Sequence, residues 1–157
     1  MVLMMIYKKI MVAIDGSEVS DFAIQEAIKL IQDQDAQLHI VHVLDETFVY
    51  NGGPGFDYPS FVVLMKEEGQ TILNNAALLV ENQSSIQVKK SLVQLKTLNG
   101  RVAELIVEEA TDWGADLLVV GTHGRRGFSR LFLGSVAENI IRIATTPVLL
   151  IRMPQKE

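Results

Sequence analysis

Short continuous apolar runs alternate along this chain with longer stretches in which apolar residues recur every three or four positions. The first run, Ile10-Met11-Val12-Ala13-Ile14 after Tyr7-Lys8-Lys9, reads as a strand buried on both faces. Asp15-Gly16-Ser17 breaks it, and Ser17 suits the N-cap of a helix whose first turns hold Glu18 and Asp21. Ile24, Ile28 and Ile31 give that helix one apolar face. A second strand is expected over Leu38–Leu44, then a surface loop over 45–60 carrying Gly52, Gly53, Pro54, Gly55 and Pro59. The stripe Met65, Ile72, Leu73, Ala76, Leu79 and Val80 predicts a long helix over Phe61–Asn82, weakened at Gly69. Ile86–Leu95 reads as a third strand. Asn99-Gly100 turns the chain into a helix with Val102, Leu105, Ile106, Ala110 and Trp113 on one face and Gly114 as its stop. Leu117–Val120 is a fourth strand, and a glycine-rich loop begins at Gly121. The last helix is expected from Ser135, with Val136, Ala137, Ile140, Ile141 and Ala144 on one face. Pro147 then leads into a fifth strand, Val148–Ile151.

Five strands separated by helices imply parallel pairing with right-handed crossovers. The expected fold class is therefore α/β, an open five-stranded parallel sheet with helices on both faces, Rossmann-like. Nothing reads as a linker, so residues 1–157 are taken as one domain.

Composition narrows the function classes. Fourteen Lys+Arg against nineteen Asp+Glu give a net charge of −5, which argues against a sequence-independent grip on nucleic acid and against a polybasic membrane anchor. The absence of cysteine excludes thiol catalysis, zinc–thiolate sites and disulfides. The apolar opening Val2–Ile6 is short, lacks a preceding basic stretch, and meets Lys8-Lys9 on the wrong side for a secretory signal. A cytoplasmic protein without membrane contact is the expectation.

Ligands of such sheets bind beyond the carboxyl ends of the strands, where the strand order reverses. Two strand ends carry suitable chemistry. One holds Asp15-Gly16-Ser17; the other opens a segment with four of the eleven glycines between positions 121 and 134. Glycines between a buried strand and a helix let backbone amides close around phosphate oxygens. Ser135 and Glu138 have capping-box spacing, and Arg125, Arg126 and Arg130 add positive charge nearby. An anion site is the favoured reading. The plainer one makes Gly121 and Gly124 a tight turn, Ser135 a cap and the arginines an exposed loop. The Gly-x4-Gly-Lys-Ser/Thr and Gly-x-Gly-x2-Gly patterns are both absent, which excludes a P-loop NTPase and weakens a dinucleotide reading.

These segments resemble the universal stress protein family over nearly the whole chain. The likeness is carried by Tyr7–Ser17, the pair His42-Val43, Gly114–Gly124 and Thr146–Ile151. The spacing Gly-x2-Gly-x9-Gly-Ser, which marks ATP-binding members of that family, stands here as Gly121, Gly124, Gly134 and Ser135. The resemblance implies strand order 3-2-1-4-5 and a nucleotide in the crevice between the first and fourth strands. It places Asp15 on the ribose or on a metal near the phosphates, and Val43 on the adenine through its backbone. Ala13 and Ile14 would line the floor. Gly121, Gly124, Gly134, Ser135 and the Val136 amide would carry the phosphates, with Arg125 beside them. Ala13-Ile14 stand where many ATP-binding members have Pro-Thr, a departure at the adenine contacts. The implied cofactor is ATP with magnesium or manganese, and the implied partner is a second copy joined through strand 148–151. The functional expectation is a nucleotide-dependent switch or sensor, with a slow ATPase or a nucleotide-free interaction module as alternatives and a flavoprotein-like reading last.

Other polar residues read as structural. His39 and His42, three apart on a strand, point to opposite faces and cannot share an ion. His123 lies inside the glycine loop, where packing is the commoner role than phosphate contact. Asp116 sits at the amino end of its strand, opposite the ligand side. Ser17, Ser129 and Ser135 have no base in fixed relation, so no catalytic residue is assigned.

Overall fold

The computed structural model describes residues 7–31, 35–47, 52–96, 100–124 and 133–154. Strands β1 (Lys9–Ile14), β2 (Gln37–Asp45), β3 (Gln87–Leu95), β4 (Leu117–Gly121) and β5 (Val148–Ile151) form one sheet in the order β3-β2-β1-β4-β5. Every adjacent pair is parallel, which gives the doubly wound α/β arrangement the alternation predicts. Helices α1 (Glu18–Leu30) and α2 (Tyr58–Glu81) cover one face; α3 (Val102–Trp113) and α4 (Ser135–Ile143) cover the other.

The core is accordingly double. Ile10, Val12, Leu38, Ile40 and Val119 pack against Ile24, Leu73 and Val80, while Met11, Val41, Leu118 and Val120 meet Ala103, Ile106, Ala110 and Ile140. Side chains alternate across a strand, so the central strands are apolar at nearly every position because both faces are covered. β3, at one edge, is guarded instead by exposed Gln87, Lys89 and Lys90. Asp116 ties β1 to the segment before β4: its carboxylate accepts from the backbone amides of Lys8, at 2.8 Å, and Lys9, at 3.1 Å. That is the structural role its position suggested.

Four local expectations need correction. The helix after β2 begins at Tyr58 rather than Phe61, because Asp57 caps it through the Ser60 amide and Pro59 falls in its first turn, where a proline removes no needed donor. Gly69 is no simple weak point. A Cβ there would stand 2.8 Å from Leu92 Cδ1 and 3.2 Å from His42 Cδ2, so its bareness lets α2 lie close on β2 and β3. At α4 the cap is Gly134, without a side-chain bond, and Ser135 is already helical. The capping box is not formed: Glu138 instead pairs with Arg142 one turn on. Val136 and Ile141, expected on the core face of α4, are exposed, and only Ala137 and Ile140 are buried there. The turn expected at Asn99 lies outside the described residues.

Candidate functional site

The carboxyl ends of β1, β2, β3 and β4 open into a cavity of about 640 Å³. The helix N-termini that follow them close it: Ser17 and Ser20 from α1, Arg101 to Ala103 from α3, and Gly134 to Ala137 from α4. The α2 side adds Met65, Glu68 and Gly69. Ala13, Ile14, Asp15, Val43, Gly121, Gly124, Gly134, Ser135 and Val136 all line this one cavity. Arg125 lies outside the described residues, as do Arg126, Ser129 and Arg130.

Asp15 follows the last residue of β1 and is held by the turn it initiates. Its Oδ1 accepts from the Ser17 amide at 3.0 Å and lies 3.2 Å from the Ser20 hydroxyl. Gly16 makes the turn possible at φ 79°, a left-handed conformation costly for any residue with a Cβ. Ser17 then caps α1 by accepting from the Ser20 amide. The role of Asp15 as partner to the following turn is thus real, and it fixes the carboxylate at the cavity wall. Its charge is felt one turn on: Asp21 is held above the usual carboxylate value, by burial first and then by the charges of Asp15 and Glu18.

The glycines of the second strand end act by closeness. A Cβ on Gly124 would stand 2.6 Å from Asp15 Oδ2, so the loop's backbone reaches the carboxylate only because that residue is bare. A Cβ on Gly134 would stand 3.0 Å from the Thr122 carbonyl oxygen, which accepts from the Gly134 amide at 2.7 Å. Gly121 is different: a Cβ there would strike Val19 Cγ1 at 2.6 Å, so its bareness serves the approach of α1. Thr122 is anchored from the other side, its amide donating to the Ile151 carbonyl at 2.8 Å. In α4 the first intrahelical bond runs from the Glu138 amide to the Gly134 carbonyl, leaving Ser135, Val136 and Ala137 amides without intrahelical acceptors at the cavity. Such an end attracts an anion.

The histidines separate as expected. His39 is fully buried beneath α3, edge-on to Trp113 and 2.8 Å from Ser91 Oγ. Burial, and then the charge of Lys89, lowers its pKa to about 4, so it is neutral at pH 7. His42 faces α2 and donates from Nδ1 to the Ile14 carbonyl at 2.8 Å, steadying the peptide just before Asp15. His123 Nδ1 lies 3.0 Å from Thr122 Oγ1, and its Nε2 is buried with no hydrogen-bond partner among the described residues. Among the described residues no group of three or more His, Cys, Asp or Glu side chains could hold a metal ion.

Several lining residues were not singled out from the sequence. Arg101 and Leu95 follow the same rule as Asp15, flanking a strand end and the helix start after it, and that rule could have found them. Met65 and Glu68 enter from mid-helix, where no local pattern marks them.

Comparison with known proteins supplies a second line of argument. The universal stress protein family profile matches residues 6–152. Universal stress protein MJ0531 of Methanocaldococcus jannaschii is 39% identical over 153 residues, covering 97% of this chain and 86% of the relative. Among solved structures, hypothetical protein MJ0577, the subject of a structure-based assignment of biochemical function, superimposes with a TM-score of 0.83 at 26% identity, covering 96% of this chain and 99% of its own. A universal stress protein in complex with cAMP superimposes with a TM-score of 0.63 at 27% identity, covering 93% and 97% respectively. A likeness that runs nearly end to end in both sequence and fold leaves one assignment: the chain belongs to the universal stress protein family.

Proposed function

We propose that this protein binds an adenine nucleotide, ATP in the first instance, in the cavity at the ends of β1 and β4, and works as a nucleotide-dependent switch. The observation that carries the reading is the joint approach of Asp15, the bare backbone at Gly124 and Gly134, and the open amides of α4 on one cavity. The phosphates belong at Gly124, Gly134, Ser135 and Val136, the ribose near Asp15, and the base over Ala13, Ile14 and Val43. Gly121 supports this arrangement through its packing on Val19. The cAMP complex of a structurally similar family member supports an adenine nucleotide as the ligand class. A magnesium or manganese ion would come with the phosphates, and Asp15, beside the bare backbone of Gly124, is the lining carboxylate that would meet it.

The same proposal includes a homodimer through β5. β3 guards its edge with lysines, whereas β5 is Val148-Leu149-Leu150-Ile151, an apolar edge that a second copy would cover. The test is to denature protein purified without added nucleotide and identify what is released. Release of adenine nucleotide near one per chain supports the reading. A protein that is empty and also ignores ATP in titration overturns it.

A further inference from the structure

Arg101 is a cation at the cavity with no assigned task. It precedes α3 as its N-cap, is exposed, makes no side-chain capping bond, and has no ion pair or side-chain hydrogen bond among the described residues. The other formally charged lining residues described are Asp15, Asp45 and Glu68, all acidic.

Its place in the fold says what it faces. The anion-attracting end is at α4, which follows β4. Arg101 opens α3, which follows β3, the edge strand on the opposite side of the sheet from β4, while the body of α3 packs on β2 and on α4. Near it stand Val43 on β2, Leu95 at the end of β3, and Val102 and Ile106 on α3, with Asp45, in register with Leu95, the carboxylate at that end of β2. An unpaired guanidinium beside these apolar side chains suits the face of an aromatic ring, on which its plane can stack.

Resting on the nucleotide reading above, we infer that Arg101 is a specificity residue of the base end, stacking on the purine and not on the phosphates. A base-facing contact weakens every adenine compound by the same factor, whereas a phosphate-facing one costs more with each phosphate.

The experiment is calorimetric titration of the full chain and of Arg101→Ala and Arg101→Gln with adenosine, AMP, ADP and ATP, at low and high salt. The expected result is a loss of about three-fold, the size of an exposed cation–π contact, equal for all four ligands and little changed by salt. Thermal unfolding without ligand should be unmoved, because the side chain supports nothing in the fold. A loss that grows from adenosine to ATP, or no loss in either variant, overturns the assignment. Failure of the unsubstituted protein to bind any of the four overturns the nucleotide reading itself, which is a different result.

Discussion

At the scale of single residues, the site depends on atoms that are missing. Gly124 lets the backbone after β4 reach the Asp15 carboxylate, and a methyl group there would occupy the space of Oδ2. Gly124→Ala should therefore weaken nucleotide binding about tenfold or more, the size of losing one charge-assisted hydrogen bond, while the melting temperature changes little. Calorimetric titration beside thermal denaturation checks both halves. Asp116→Ala should behave in the opposite way. It removes the acceptor of the Lys8 and Lys9 amides at the far end of β1, costing about 1–3 kcal/mol of stability by urea denaturation, with affinity unchanged. The sequence made Asp15, Gly124 and Gly134 visible because strand ends and glycine spacing are local signals. It hid the distinct work of Gly121, because the approach of Val19 exists only once α1 has packed.

Among the elements, the strands were the most legible. In β1, β2 and β4 the apolar runs follow from burial on both faces, whereas β3, exposed or half-buried along most of its length, carries no such run. Helix starts were harder, since they turn on single bonds. Asp57 captured the start of α2 three residues before the expected Phe61, and Gly134 displaced Ser135 from the cap of α4. Gly69 marks where propensity and packing disagree: glycine costs a helix about 1 kcal/mol relative to alanine, yet here it sets the distance between α2 and the sheet. Gly69→Val should cost about 2 kcal/mol or more, because its branches must enter space held by Leu92 and the His42 ring. A gain in stability on urea denaturation would show that this contact yields freely. Displacing His42 should also loosen its bond to the Ile14 carbonyl, so the same variant should bind nucleotide less tightly.

For the molecule as a whole, acid stability is set in part by His39. Its folded pKa of about 4 lies below the unfolded value near 6.5, so between those limits the unfolded chain holds the extra proton. Stability should fall as pH drops from 7 to 4, by about 2–3 kcal/mol from this group, and level off below. Asp21, whose pKa is raised, opposes the trend in the carboxylate range, since its folded form holds the proton longer. Urea denaturation at stepped pH checks the slope, and His39→Gln should flatten it above pH 5. The dimer proposed at β5 predicts twice the chain mass by sedimentation equilibrium, and one chain mass would refute it. The edge strand and the crevice are also joined by two main-chain bonds in series, from the Gly134 amide to the Thr122 carbonyl and from the Thr122 amide to the Ile151 carbonyl. One peptide segment thus answers to both neighbours. If ordering at β5 stiffens that segment, a ligand at α4 has less freedom left to remove, and linkage makes the effect equal when the order of events is reversed.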